Sequence, residues 1–173
     1  MNKNLISKIK IKLKCKLDDT RFSEYFQVSK LIFKNQLSKY PECINTLEQK
    51  FLPISGTQFS SSSCNGTFGF HAAIFALKLK AGDTILASRL SFHSTIFAFL
   101  KSGIKVKYLD VDENLNPILP SEIKGSAKAV LFSHLFGYPN SPDLLKSCKS
   151  AGLSVIEDCS HAHGAIYSDN KMV

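Results

Sequence analysis

No Cys-x-x-Cys pair occurs anywhere in this sequence, and its five cysteines, at 15, 43, 64, 148 and 159, are odd in number and widely spaced. That pattern excludes a disulfide framework and offers no structural zinc site. No stretch has the unbroken apolar core of a signal peptide or the length needed to span a bilayer. A reducing cytoplasm is therefore the expected location, with no membrane span. Internal repeats, low-complexity tracts and domain linkers are also missing.

Acidic residues are absent from the first 17 positions, which hold six lysines: Lys3, Lys8, Lys10, Lys12, Lys14 and Lys16. The formal net charge of +8 thus resides mostly in an arm, because the other 156 residues carry 16 basic and 14 acidic side chains. The arm lacks interleaved aromatics and the body is almost neutral, so nucleic acid is not expected as a partner. From 8 to 17 the arm alternates charge and apolar side chain, a period that suits a solvated edge strand or a segment adhering to an acidic surface.

What is present is an ordinary globular composition, 44% hydrophobic and 21% charged over 173 residues, enough for one sizeable domain. Residues 18–40 suggest a leading helix, and apolar positions 44, 47, 51 and 52 predict a second helix that begins near Pro41 and is closed by Pro53 and Gly56. A small-residue loop at 60–67 then opens onto an apolar helix ending before Gly82. Strands are predicted at 84–87, 104–111, 128–133 and 154–157, with helices at 94–101 and 141–150 between them. Such alternation implies βα repeats and a mostly parallel sheet. Ligands of open sheets sit beyond the carboxyl ends of strands, where both unusual segments, 60–67 and 157–164, are expected to lie.

The first of these, Ser60–Thr67, places Asn65, Gly66 and Thr67 at a helix start. Unpartnered backbone N–H groups there, beside a glycine and a hydroxyl, suit a phosphate; an ordinary N-cap is the competing explanation. It is neither a Walker loop nor a G-x-G-x-x-G fingerprint, which disfavours a nucleoside triphosphate or a dinucleotide.

The second, Val155–Gly164, ends an apolar strand in Glu157 and Asp158, followed by Cys159, Ser160, His161 and His163. Four explanations stand. The carboxylates and histidines could bind a metal, although no H-x-x-x-H spacing is present. Cys159 could be a thiol nucleophile, although a catalytic histidine usually comes from a distant part of the chain. The carboxylates could merely cap backbone groups. Lastly, a shielded carboxylate could keep a heteroaromatic ring nitrogen protonated, as pyridoxal phosphate requires to act as an electron sink. A phosphate seat on one loop and an acid on another would match that molecule's two charged ends.

The ordered set S-C-N-G-T, A-G-D-T-I-L-A, D-V-D, H-L-F-G and V-I-E-D-C-S-H-A-H-G-A-I-Y resembles the DegT/DnrJ/EryC1/StrS family of pyridoxal-phosphate-dependent sugar aminotransferases, over about residues 40–173. The resemblance implies a three-layer α/β fold with a mostly parallel sheet, the aspartate-aminotransferase-like large domain (fold type I). Residues 1–39 then form a basic arm and leading helix, and 40–173 the N-terminal part of that domain. By this resemblance Gly66 and Thr67 bind the cofactor phosphate, Phe92 stacks on the pyridine ring, Asp158 pairs with the ring nitrogen, and His161 lies near the phenolic oxygen. Glu157 is taken as structural, and Cys159 and Ser160 as small packing residues.

The resemblance further implies a nucleotide-linked keto sugar and an amino-acid donor as substrates, and a homodimer in full-length members. The family's Schiff-base lysine lies about two dozen residues beyond the H-A-H-G-A segment, past Val173, and Lys171 does not match it. The expectation is therefore an N-terminal fragment, inactive alone. Alternatively it is a non-catalytic cofactor- or sugar-nucleotide-binding module, or half of a split enzyme.

Overall fold

The computed structural model describes residues 22–34, 40–123, 125 and 127–167. The basic arm and Lys171 lie outside the described residues. Two compact units are present, residues up to Leu47 and residues from Glu48 onward. The first contains α1 (Phe22–Phe33) and the opening of α2 (Tyr40–Ser55). Helix α2 runs through Pro53 instead of ending there. Pro53 has no N–H to donate one turn back, and the helix ends two residues after it. Termination falls to Gly56, whose φ of +63° closes the last turn with its N–H on the Leu52 carbonyl at 2.9 Å.

The second unit is built around four parallel strands, β1 (Thr84–Ser88), β2 (Lys105–Leu109), β3 (Ala129–Ser133) and β4 (Ser154–Asp158), in the order β2-β1-β3-β4. Helices α3 (Gly66–Ala76), α4 (His93–Lys101) and α5 (Pro142–Ser150) accompany them. The crossover demanded by each parallel pair explains the alternation read from the sequence. Every residue of β3 is buried, as a central strand covered on both faces requires.

Side-chain alternation divides the interior in two. Ile85, Ala87, Ala129, Leu131 and Ile156 join Ile74 of α3 and Ile96 and Phe99 of α4 in one cluster. Leu86, Val130 and Phe132 point the other way, toward Leu145 and Cys148 of α5. Helices thus cover both faces, and the expected three layers are present. Each fully buried side chain such as Phe99 or Phe132 contributes roughly 1.5–3 kcal/mol.

One glycine is dictated by packing. Gly103, at φ +74°, would place a Cβ 2.9 Å from Ala81 Cβ, so the turn from α4 into β2 admits no side chain. Its carbonyl accepts the Gly82 N–H at 2.8 Å, tying the entrances of β1 and β2 together. Among the described residues no helix is long and apolar enough to cross a membrane.

Candidate functional site

Beyond the carboxyl ends of β1, β3 and β4 lies a cavity of about 320 Å³. It is lined by Asn65, Gly66 and Thr67 at the start of α3, by Phe92, Ser94 and Thr95 after β1, by His134 and Leu135 after β3, and by Asp158, Ser160 and His161 from β4 onward. All five residues singled out from the sequence, Gly66, Thr67, Phe92, Asp158 and His161, border this one space. The 60–67 loop reaches it by an unexpected route, since it leads out of α2 and not out of a strand. Because α3 precedes β1 and must return along the sheet, its amino end arrives where the strands' carboxyl ends are.

At that amino end Asn65 is the N-cap, with extended backbone (φ −168°, ψ 169°) and Oδ1 accepting the Phe68 N–H at 2.9 Å. The amides of the first turn have no helical carbonyl within reach, so those of Gly66 and Thr67 are available to an anion. Gly66 has no left-handed φ, and a Cβ on it would meet only Ser160 Oγ, at 4.0 Å. Neither conformation nor packing requires a glycine there. The preceding loop is anchored by Glu48, whose Oε1 accepts from Ser62 N–H at 2.6 Å and Ser62 Oγ at 2.9 Å. The backbone bond foremost, then the hydroxyl, hold the Glu48 carboxyl below its usual range.

Opposite charge and geometry meet at Asp158, which is 8% exposed. Thr95 Oγ1 donates to its Oδ2 at 2.8 Å, and Ser160 donates to Oδ1 through Oγ at 2.6 Å and through N–H at 3.2 Å. The carboxylate is thereby fixed as an acceptor facing the cavity, presenting negative charge to whatever enters. Ser160, expected only to pack, is one of its donors. Phe92 is the N-terminal neighbour of α4, 53% exposed, its ring 4.4 Å from that of His93. His161 is exposed, its ring 6.3 Å from that of Phe136.

The side chains of the 157–164 segment divide between two surroundings. Neighbouring strand residues face opposite sides, so Glu157 turns from Asp158 to a separate network. There His134, 1% exposed, accepts the Asn140 N–H on Nδ1 at 3.0 Å, which leaves the ring proton on Nε2 to be donated to Glu157 Oε1 at 3.3 Å. Tyr167 also donates to Glu157 Oε1. Burial pushes the Glu157 carboxyl up, but the bonds from His134 and Tyr167 together outweigh it and leave it below its ordinary value. Glu157 is held in this hydrogen-bonded network. Among the described residues no group of three or more His, Cys, Asp or Glu is placed to hold a metal ion. Burial, assisted by the Glu157 and Asp158 charges, pushes the Cys159 thiol up to about 12, the opposite direction from thiolate activation.

His134, Ser94, Thr95 and Leu135 escaped the sequence reading. His134 and Leu135 had a signal, the H-L-F-G stretch, without a role attached. That stretch ends β3 in a short 3₁₀ turn, Leu135–Gly137, in which Phe136 (φ 57°, ψ 21°) and Gly137 (φ +83°) are both left-handed. For an aromatic residue such a backbone costs roughly 1–2 kcal/mol.

The profile of the DegT/DnrJ/EryC1/StrS aminotransferase family matches residues 19–173. GDP-perosamine synthase of Escherichia coli O157:H7 is 28% identical over 145 residues, 81% of this chain and 40% of that protein. The aminotransferase from Psychrobacter cryohalolentis superposes with a TM-score of 0.73 at 26% identity, over 84% of this chain and 38% of that one. GDP-4-keto-6-deoxy-D-mannose-3-dehydratase of E. coli, solved with bound hydrated PLP, gives 0.69 at 25% identity, over 80% and 38%. The chain thus spans about two-fifths of the length of these relatives. Its helix-covered parallel sheet is the fold type I arrangement.

Proposed function

Because the chain belongs to the DegT/DnrJ/EryC1/StrS aminotransferase family, we propose that its cavity holds pyridoxal 5'-phosphate and serves amino transfer to a nucleotide-linked keto sugar. One observation carries this reading: the helix start at Gly66 and Thr67 and the carboxylate of Asp158 border the same cavity, an anion seat and an anionic side chain that suit a single zwitterionic ligand. When bound, the cofactor supplies an electron sink for a carbanion next to nitrogen.

The chain's own residues divide the work. Gly66 and Thr67 hold the phosphate through backbone amides, helped by the helix dipole. Asp158, steadied by Thr95 and Ser160, accepts a hydrogen bond from the ring nitrogen and favours its protonated form. Phe92 supplies a flat apolar face, and His161 offers a hydrogen bond at the ring's phenolic side. Together these residues provide the cofactor-holding share of the proposed site.

The test is calorimetric titration of the chain with pyridoxal phosphate and with pyridoxal, which lacks the phosphate, repeated on Asp158→Asn. Tighter binding of the phosphate ester, weakened in the variant, is expected. Equal affinity for the two compounds, or no change in the variant, overturns the assignment.

A further inference from the structure

Phe136 pairs a disfavoured backbone with an unrewarded side chain. Its φ of 57° is one that bulky residues avoid, yet the residue is 71% exposed and belongs to neither apolar cluster among the described residues. Strain of this kind persists where function demands it, so the outlier asks for a ligand. The surroundings say which. His134 and Leu135, immediately before it, line the cavity, and so does His161, whose ring is its aromatic neighbour at 6.3 Å. Gly137 repeats the left-handed turn and comes close to the His161 segment, where a Cβ would sit 3.9 Å from the His161 carbonyl oxygen. Two consecutive left-handed residues thus fold the exit of β3 beside His161 and set an exposed aromatic directly after two cavity-lining residues.

Resting on the proposed function, we infer that Phe136 is a substrate-positioning residue: its ring forms an apolar platform for the hexose of the nucleotide-linked sugar. A hexose alternates polar hydroxyls with a C–H face, and an aromatic ring is the side chain that matches such a face while leaving the hydroxyls free to find donors. Its place beside His161 puts that platform next to the expected phenolic side of the cofactor ring, where a reacting sugar carbon must arrive. The phosphate seat at Gly66 and Thr67 is built by a different element, so cofactor affinity is expected to change little when Phe136 is replaced.

The experiment compares the chain with Phe136→Gly and Phe136→Tyr. Measured are the thermal midpoint, the affinity for pyridoxal phosphate, and the affinity of the cofactor-loaded chain for a GDP-linked 4-keto-6-deoxyhexose. Glycine relieves the backbone, so Phe136→Gly is expected to keep or raise the midpoint, leave cofactor affinity within twofold, and weaken sugar-nucleotide binding by about fivefold or more. Phe136→Tyr is expected to retain sugar-nucleotide binding. A lower midpoint in the glycine variant with unchanged sugar-nucleotide affinity overturns the inference, since the ring would then be a packing residue. Loss of self-association in that variant, with ligand binding intact, also overturns it. If the parent chain binds pyridoxal phosphate but no sugar nucleotide, this inference falls and the cofactor assignment stands. If it binds neither, both fall.

Discussion

Thr95 Oγ1 and Asp158 Oδ2, 63 residues apart in sequence, are joined by a 2.8 Å hydrogen bond in the wall of the cavity. Thr95 is 2% exposed, so its hydroxyl has no water to turn to and its bond fixes the carboxylate's rotation. Thr95→Val keeps the shape and removes the donor. A buried acceptor left short of a partner costs about 1–3 kcal/mol. A thermal midpoint several degrees lower is expected, together with weaker pyridoxal phosphate binding. An unchanged midpoint would show that the bond is not made in solution.

Asp158→Asn tests the charge itself. The amide is close to isosteric, so the fold is expected to survive. A hydrogen bond involving a charged partner is worth about 1.5–3 kcal/mol, so cofactor affinity should fall by about 10- to 150-fold. Titration followed by cofactor fluorescence measures this directly.

Gly66→Ala separates folding from binding. No positive φ and no close neighbour oppose a methyl group there, and alanine favours the helix by roughly 0.5–1 kcal/mol. Unfolding in urea should show equal or greater stability, whereas phosphate-dependent affinity should drop as the methyl crowds the amides. Gly103→Ala, facing Ala81 Cβ at 2.9 Å from a left-handed backbone, is expected to destabilise and serves as the contrast.

Glu157 predicts an acid-labile contribution. Its folded-state pKa is lowered because the bonds from His134 and Tyr167 outweigh burial, so its stabilisation is complete above the unfolded value and vanishes as pH falls through the folded one. Glu157→Gln should therefore be less stable than the parent near neutrality. The gap in midpoint should narrow as pH drops below about 4.5, the ordinary glutamate value. Parallel midpoint curves down to acid pH would contradict this.

Thiol labelling probes the same region. Cys43 and Cys64 are exposed, while Cys148 is buried and Cys159 partly so, with burial raising both of their thiols. Iodoacetamide at pH 8 followed by mass spectrometry should mark Cys43 and Cys64 in the folded chain and spare Cys148 and Cys159 until denaturant is added.

Much of the layered sheet was legible because period and punctuation are local properties. The apolar run at 129–133 and the glycines at 82 and 103 mark strands and turns without reference to anything distant. Asp158 was legible for a similar reason, as a carboxylate ending an apolar run. Thr95 and Ser160 were not, because a threonine on a helix and a serine after a strand look ordinary until the sheet brings them to the same acid. His134 was hidden for a related reason: its partners Asn140, Glu157 and Tyr167 lie 6, 23 and 33 residues away. Pro53 misled because a breaker's effect depends on how near the helix end it falls, which composition does not reveal.

The strand order has a temporal consequence. Among the described residues β4 joins the sheet through β3 alone, and the acid it carries meets the helix start at Gly66 when that docking is complete. Pairings between segments so far apart form slowly, after local helices. On the ribosome, which delivers about 5–20 residues per second from the N-terminus, the emerging chain holds its phosphate cradle for several seconds before the matching carboxylate exists. A ligand that needs both charged ends held is therefore expected to bind only the assembled layer.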